Sequence, residues 1–265
     1  LRFIKLQEML LLNPRLKTML PEPNQLIDME PAVNLIIKAM NEGETIAVFG
    51  DYDVDGATSS AILVQFFAMI GRIVPVYIPD RQREGYGPNL PALLKLKESG
   101  ASVIITVDCG TTAYDPLEAA AEAGLKIIVV DHHVAEPRLP KGSLVINPNR
   151  FDETSEHGQL AAVGVTFLLI IALNRALRNL NWFDKDHPEP NLIELLGLVA
   201  LGTICDVVPL TGLNRALVSQ GLRVLQKQNN LGIKALVGTA NILEPLNSYH
   251  AGFLLGPRVN AGGRV

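Results

Sequence analysis

Asp51, Asp53 and Asp55 stand at alternate positions in IAVFGDYDVDGATSS (46–60), directly after an apolar run. In extended chain, alternate side chains share a face. Two carboxylates a few Å apart repel by roughly 2–4 kcal/mol at a protein-like effective dielectric. A strand end carries such a cluster when a cation relieves it or when water reaches it. Further acids and imidazoles are placed in the same way. TVDCGTTA sets Asp108 at the end of a second apolar run, and VVDHHVAE sets Asp131, His132 and His133 at the end of a third. LLGLVALGTICDVVPL (195–210) carries Asp206 inside an apolar stretch, where a buried carboxylate needs a partner. Each acid taken singly is an ordinary cap or turn former. Several strand ends bearing them together is a pattern that capping does not explain. Oxygen-rich ligation with one imidazole suits Mn²⁺ or Mg²⁺ better than Zn²⁺ or copper. Consecutive residues of extended chain point to opposite sides, so one histidine of the pair reads as a ligand and the other as facing substrate.

The elements that must position these groups follow a β/α rhythm. Strands are predicted at 45–49, 73–79, 102–107 and 126–130, with 143–147 a candidate further strand; helices are predicted at 56–71, 89–100 and 113–124. Short β-branched runs alternating with helical patterns imply crossover units and a parallel sheet. In such a sheet ligands collect beyond the carboxyl ends of the strands, and neighbouring strands lie about 4.8 Å apart. Acids on several strand ends can therefore share one crevice. Residues 1–43 read as helical, with Pro31 near a helix start and Gly43 as a stop. Beyond about residue 158 the strands cease, and 160–180, 191–202, 212–228, 231–240 and 248–256 read as helices, with a turn-rich connector at 181–191. The expected fold class is α/β: a parallel β-sheet flanked by helices over 1–158, followed by a mostly helical region over 159–265.

The chain has 265 residues, 48% of them hydrophobic and 19% charged, a globular composition. No uninterrupted apolar run reaches the roughly 18 residues that span a bilayer. Leu160–Leu177 is broken by Asn174 and Arg175 and reads as a buried helix. The N-terminus has no secretory-signal pattern. The two cysteines, Cys109 and Cys205, lack C-x-x-C spacing and read as small packing residues beside candidate acids, so a reducing cytoplasm is the expected compartment. The formal net charge of −4 argues against non-specific nucleic-acid binding, but two bound divalent cations would bring it to about zero.

GDYDVDG, VDCG, DHH and GTICDVVPL, in that order, resemble the DHH phosphoesterases. Within them PDRQREGYG (79–87), INPN (146–149), AAVGVTF (161–167) and GPRVNAGGR (256–264) are similar to segments of the RecJ-type exonucleases. The resemblance covers roughly 45–264. It implies a two-metal phosphodiester hydrolase, dependent on Mn²⁺ or Mg²⁺, that degrades single-stranded DNA 5′→3′ in recombination and repair. It also implies repair or replication proteins as partners, and no membrane. Carried over by position, Asp53 and Asp108 are implied ligands of one ion; Asp55, Asp108, His132 and Asp206 are implied ligands of the other, with Asp108 bridging. Asp51 stands where smaller family members have a histidine. His133 is expected at the scissile phosphate or its attacking water, and Asp131 as the group orienting a neighbouring histidine. Arg81, Arg83 and Tyr86, in the loop after the second strand, are candidates for holding nucleic acid, as are Arg258 and Arg264. RecJ-type chains continue into a second, DHHA1-type domain. Here the sequence stops at NAGGRV, inside a motif, so a fragment with a complete metal site, a partial DNA groove and weak exonuclease activity is expected. Two alternatives remain: a phosphoesterase of small substrates (oligoribonucleotide, phosphoadenosine phosphate or pyrophosphate), and an inactive DHH scaffold.

Overall fold

The computed structural model describes residues 14–263. Five strands, β1 (Thr45–Gly50), β2 (Val76–Tyr77), β3 (Ala101–Val107), β4 (Lys126–Val130) and β5 (Ser143–Ile146), form one sheet in the order β2-β1-β3-β4-β5. Every pairing is parallel. The helices are α1 (Leu16–Met19), α2 (Met29–Asn41), α3 (Val54–Met69), α4 (Arg81–Glu84), α5 (Leu90–Glu98), α6 (Tyr114–Glu122), α7 (Ala162–Asn179), α8 (Leu196–Cys205), α9 (Gly212–Leu225), α10 (Leu231–Thr239) and α11 (Gly256–Gly262). A π-helical turn, His250–Leu255, leads into α11.

Alternation along the strands divides two apolar layers. Val48, Ile105, Val107, Ile128 and Val130 share a core with α2, α3, α7, α8 and α9. Phe49, Ile104, Ile127 and Val129 pack with Leu93 and Leu96 of α5 and Leu117 of α6. The larger core joins residues from both sides of position 158: Ile105 and Ile128 bury with Phe167, Leu169, Val199 and Leu217. Helix α7 is long and apolar enough to cross a membrane, but 72% of it is buried inside the protein, as the sequence reading expected of a core helix.

Three expected elements differ. The strand expected at 73–79 shrinks to two residues, because Pro75 and Pro79 bracket it and neither can donate to a ladder. Helix α4 replaces a stretch expected to be loop; the Asp80 side chain caps it by accepting from the N–H groups of Gln82 and Arg83, at 2.9 and 3.2 Å. The helix expected at 191–202 starts as a 3₁₀ turn, Leu192–Leu195, and runs on to Cys205. Of the helical reading of 1–43, residues 1–13 lie outside the described residues, and α2 with its stop at Gly43 (φ +70°) falls where expected.

Helices α8 and α9 touch backbone to backbone at Gly221. A β-carbon there would lie 2.2 Å from the Leu196 carbonyl oxygen and 2.5 Å from Ala200 Cβ. Gly221→Val is therefore expected to force the helices apart and to lower the unfolding free energy by about 1–3 kcal/mol, read as an earlier midpoint in urea denaturation.

The sheet's geometry prepares the site. Gly50, Val107, Val130 and Ile146 pair across the sheet as one level rung. The next residues continue that rung: the N–H groups of Asp51, Asp108 and Asp131 donate to the carbonyls of Val107, Val130 and Ile146 at 3.3, 3.0 and 3.1 Å. The chain goes from β1 to β2 on one side and to β3 on the other, so the β1/β3 edge is the switch point where open α/β sheets place ligands.

Candidate metal centre

Asp51 ends β1 buried, at 3% exposure. Asp53 caps α3, its side chain accepting from Gly56 N at 3.0 Å. Gly56 lets the first turn close over Asp51, since a β-carbon there would sit 2.6 Å from the Asp51 carbonyl oxygen. Asp55, 1% exposed, reaches across the molecule. Its two oxygens accept the N–H groups of Ala162 (2.6 Å) and Val163 (2.8 Å). One carboxylate thus caps α7 at the positive end of its dipole and ties the helical half to the sheet edge.

Asp108 adopts a left-handed backbone (φ +60°), which turns the chain sharply off β3 and is a conformation aspartate tolerates. Tyr86 donates its hydroxyl to the Asp108 carbonyl at 3.2 Å. His132 Nε2 lies 3.4 Å from Asp108 Oδ1, 3.7 Å from Asp206 Oδ2 and 3.9 Å from Asp55 Oδ2. Asp206, at the C-terminal end of α8, and His132, distant in sequence, thus meet at one edge. Asp51 Oδ1, Asp108 Oδ1, His132 Nε2 and Asp206 Oδ2 are buried and have no hydrogen-bond partner among the described residues. Buried polar atoms are seldom left so, and all four residues belong to overlapping groups of possible metal ligands.

The electrostatics agree. Burial, aided by the charge of Asp53, pushes Asp51 up to about 6. Burial and then Asp206 raise Asp55 well above the usual carboxylate range; burial and then Asp55 and Asp53 do the same to Asp108. Asp206 is also raised, by burial first and then by Asp53. Asp131 is the exception. Burial would raise it, but hydrogen bonds and charge from His133 and the Thr111 N–H outweigh burial and hold it well below the ordinary value. Its Oδ1 meets His133 Nδ1 at 2.7 Å, and that bond raises the imidazole in turn. Carboxyls raised by burial and by one another, beside one already satisfied, are a donor set whose repulsion divalent cations relieve.

Ligating atoms group within 4.8 Å in three overlapping sets: Asp51, Asp53 and Asp108; Asp55, His132 and Asp206; and Asp108, His132 and His133. The histidine rings do not face opposite ways, as strand alternation predicted. Their centroids are 4.7 Å apart at an interplanar angle of 59°, because β4 ends at Val130 and the chain bends at His133. Tyr86 stands edge-to-face with His133 at 6.2 Å. Arg81 lies over the Tyr52 ring at 5.0 Å, close enough for its charge to act on Asp51. Arg83 is exposed and pairs with Asp80 at 3.7 Å. Arg258 is exposed on α11, donating to the Leu254 carbonyl at 2.6 Å. That helix sits against α3 through Asn260, whose side chain accepts from Val54 N at 3.1 Å. Arg264 lies outside the described residues. Cys109 is buried as expected, whereas Cys205 is only partly buried. Burial raises both thiols, Cys205 to about 12, so neither offers a thiolate. Sequence reasoning gave no role to Thr111, Asn147, Asn149 or Asn260. INPN was the visible signal for the middle two.

The pattern of the DHH family's N-terminal domain matches residues 45–203, a span that crosses position 158. The single-stranded-DNA-specific exonuclease RecJ of Haemophilus influenzae is 40% identical over 257 residues, 96% of this chain and 44% of that protein. RecJ of Escherichia coli is 42% identical over 253 residues, 94% of this chain and 44% of that one. The crystal structure of exonuclease RecJ bound to manganese superposes with a TM-score of 0.78 at 35% identity, covering 93% of this chain and 59% of that one. The Thermus thermophilus RecJ structure in complex with Mn²⁺ gives 0.74 at 33% identity, covering 93% and 33%. The chain spans less than half the length of the two curated relatives from Haemophilus influenzae and Escherichia coli. The matched span takes in the ends of β1, β3 and β4 and all of α7 and stops short of Asp206; covering more than half of the sequence, it shows that the chain belongs to the DHH family.

Proposed function

We propose that this chain is the catalytic core of a RecJ-type hydrolase that uses two divalent cations, Mn²⁺ or Mg²⁺, to cleave single-stranded DNA from the 5′ end. The observation that carries it is the convergence of four partnerless buried atoms, on Asp51, Asp108, His132 and Asp206, at one sheet edge. Asp51, Asp53 and Asp108 would hold one cation, and Asp55, Asp108, His132 and Asp206 the other. Two such ions supply Lewis acidity and offset the charge on the attacking and departing oxygens. His133, with Nδ1 fixed by Asp131 and a half-exposed ring, has Nε2 free to donate to a phosphate oxygen. Tyr86, tied by its hydroxyl and 56% exposed, offers a ring on which a base can stack. Arg81, held over the Tyr52 ring, would pair with phosphate, as would the exposed Arg83 and Arg258; Arg264, outside the described residues, belongs to the same reading. Support for the substrate comes from the RecJ relatives, whose name states single-stranded-DNA specificity. A role in DNA repair and recombination, repair or replication proteins as partners, and a cytoplasmic setting belong to the same reading.

The test compares Mn²⁺-dependent turnover of a 5′-phosphorylated single-stranded oligonucleotide, about 20 nucleotides long, with that of a dinucleotide. Preference for the longer strand supports the proposal; preference for the dinucleotide replaces it with a small-substrate phosphoesterase. His133→Ala is expected to leave Mn²⁺ affinity within a few-fold and to lower kcat by about 10²–10⁴, read from binding isotherms and initial rates.

A further inference from the structure

After β5 the chain supplies a fourth residue to the level row of Asp51, Asp108 and Asp131. Ile146 closes the rung opposite Val130, and Asn147 follows it, fully buried. Its amide nitrogen donates to His133 O at 2.9 Å and to Thr111 Oγ1 at 2.8 Å, while its oxygen accepts from Asn149 N at 2.7 Å. Asn149 repeats the device one residue back along the histidine pair. Its amide nitrogen donates to His132 O at 2.6 Å and to Gly158 O at 2.9 Å. The Asn149 carbonyl also takes the N–H of Ala135 at 3.2 Å.

The histidine segment needs this support. It lies beyond the last rung, Asp131 N–H to the Ile146 carbonyl, so no strand ladder fixes its backbone. From the other side Asp131 takes its N–H groups: Oδ1 accepts from His132 N at 2.8 Å and His133 N at 3.2 Å. The donors of the two histidines are held by an acid and their acceptors by two amides. The division is chemical. A carbonyl needs a donor, which a carboxylate cannot supply at neutral pH, and an amide nitrogen offers two. Thr111 links the two systems, since its N–H donates to Asp131 Oδ2 at 3.0 Å while its hydroxyl takes Asn147.

We infer that Asn147 and Asn149 are positioning residues, Asn149 setting the direction of the His132 ring and Asn147 that of His133. The inference rests on the hydrolase reading above, in which His132 holds a cation and His133 faces phosphate. It separates the two amides: Asn149 acts through cation affinity, Asn147 through turnover. Gly158 gives an independent handle, because a β-carbon there would sit 2.5 Å from Asn149 Oδ1 and displace the amide without removing it.

Asn147→Asp, Asn149→Asp and Gly158→Ala would be compared with the wild-type chain by circular dichroism, Mn²⁺ titration calorimetry and steady-state rates on the single-stranded oligonucleotide. The isosteric Asn149→Asp is expected to weaken Mn²⁺ binding by about 10–100-fold, with Gly158→Ala changing it in the same direction. Asn147→Asp is expected to lower kcat by about tenfold or more, with KM and Mn²⁺ affinity within a few-fold of wild type. If the variants melt earlier yet bind Mn²⁺ and turn over like wild type at 25 °C, the amides are merely structural and the inference falls. Should Asn147→Asp fail to fold, Asn149→Asp and Gly158→Ala, at partly exposed positions, decide it. A wild-type chain that binds Mn²⁺ but shows no change in Asn149→Asp overturns the inference alone. A wild-type chain that binds no Mn²⁺ overturns the hydrolase reading itself and the inference with it.

Discussion

Asp108→Asn is expected to yield a protein that is more stable than wild type in the presence of a chelator and inactive in the presence of Mn²⁺. Both halves follow from one carboxylate. Asp108 is 2% exposed and its Oδ1 has no hydrogen-bond partner among the described residues. Burial, then the charges of Asp55 and Asp53, push its carboxyl well above the usual range. Replacing it with a neutral isostere removes that repulsion, and asparagine accepts the left-handed backbone of this position (φ +60°) as readily as aspartate. A gain of about 1–2 kcal/mol in urea unfolding with chelator at pH 7.5 is expected. The cost falls on function: Asp108 belongs to two of the three groups of ligating atoms, and in the proposed hydrolase its loss would weaken both cation positions. Divalent cations contribute several kcal/mol to phosphoryl chemistry. A deficit of about 4 kcal/mol corresponds to a turnover some 10³-fold slower. A variant that is less stable in chelator would show that this carboxylate is a structural cap. Retained turnover would remove it from the chemistry.

Sequence reading reached this residue because strand ends leave a strong trace. A β-branched run that closes on an acid reveals both the element and the group it carries, and three such runs placed Asp51, Asp108 and Asp131 before any coordinates. Level registers then did the rest. What the sequence hid depends on geometry with no local trace. Nothing near Asp55 announces that its two oxygens take the N–H groups of Ala162 and Val163, more than a hundred residues away. Strand alternation does not give the direction of the histidine rings, because at Asp131 the chain is no longer strand and the two ring centroids lie 4.7 Å apart. The prolines that cut the second strand to two residues are visible in the sequence, but the strand's place at the sheet edge is not. Asn147 and Asn149 carry no charge and resemble ordinary turn residues. Only the hydrogen bonds to the two histidine carbonyls distinguish them.

The chelated protein should also lose stability as pH rises from 5 to 8, and Mn²⁺ should restore it most at the alkaline end. The sign follows from the shifts at the site. Asp51 titrates at about 6 in the fold against an ordinary 3.8. Between those values the unfolded chain has released its proton and the folded chain has not. Stability therefore falls across that window and stays low above it. Asp55, Asp108 and Asp206 are raised in the same direction. His133, raised by Asp131, contributes stability that is full below its unfolded value and is lost as pH passes its folded one, so it adds to the fall. Asp131 is shifted the other way; its contribution is complete above the ordinary carboxylate range and stays constant over pH 5–8. Over pH 5–8 Asp51 alone accounts for about 1.4 kcal/mol, the part of its shift that lies above pH 5, a drop in Tm on the order of 3–6 °C for a chain of this size. Mn²⁺ competes with protons for the same oxygens, so its affinity grows with pH. The gap between melting curves with Mn²⁺ and with chelator should accordingly be small at pH 5 and wide at pH 8. Differential scanning calorimetry across that range reads it directly. A chelated Tm that stays level or climbs from pH 5 to 8 would mean that the carboxylates at this edge are already satisfied by the protein, and that no cation is needed to hold them together.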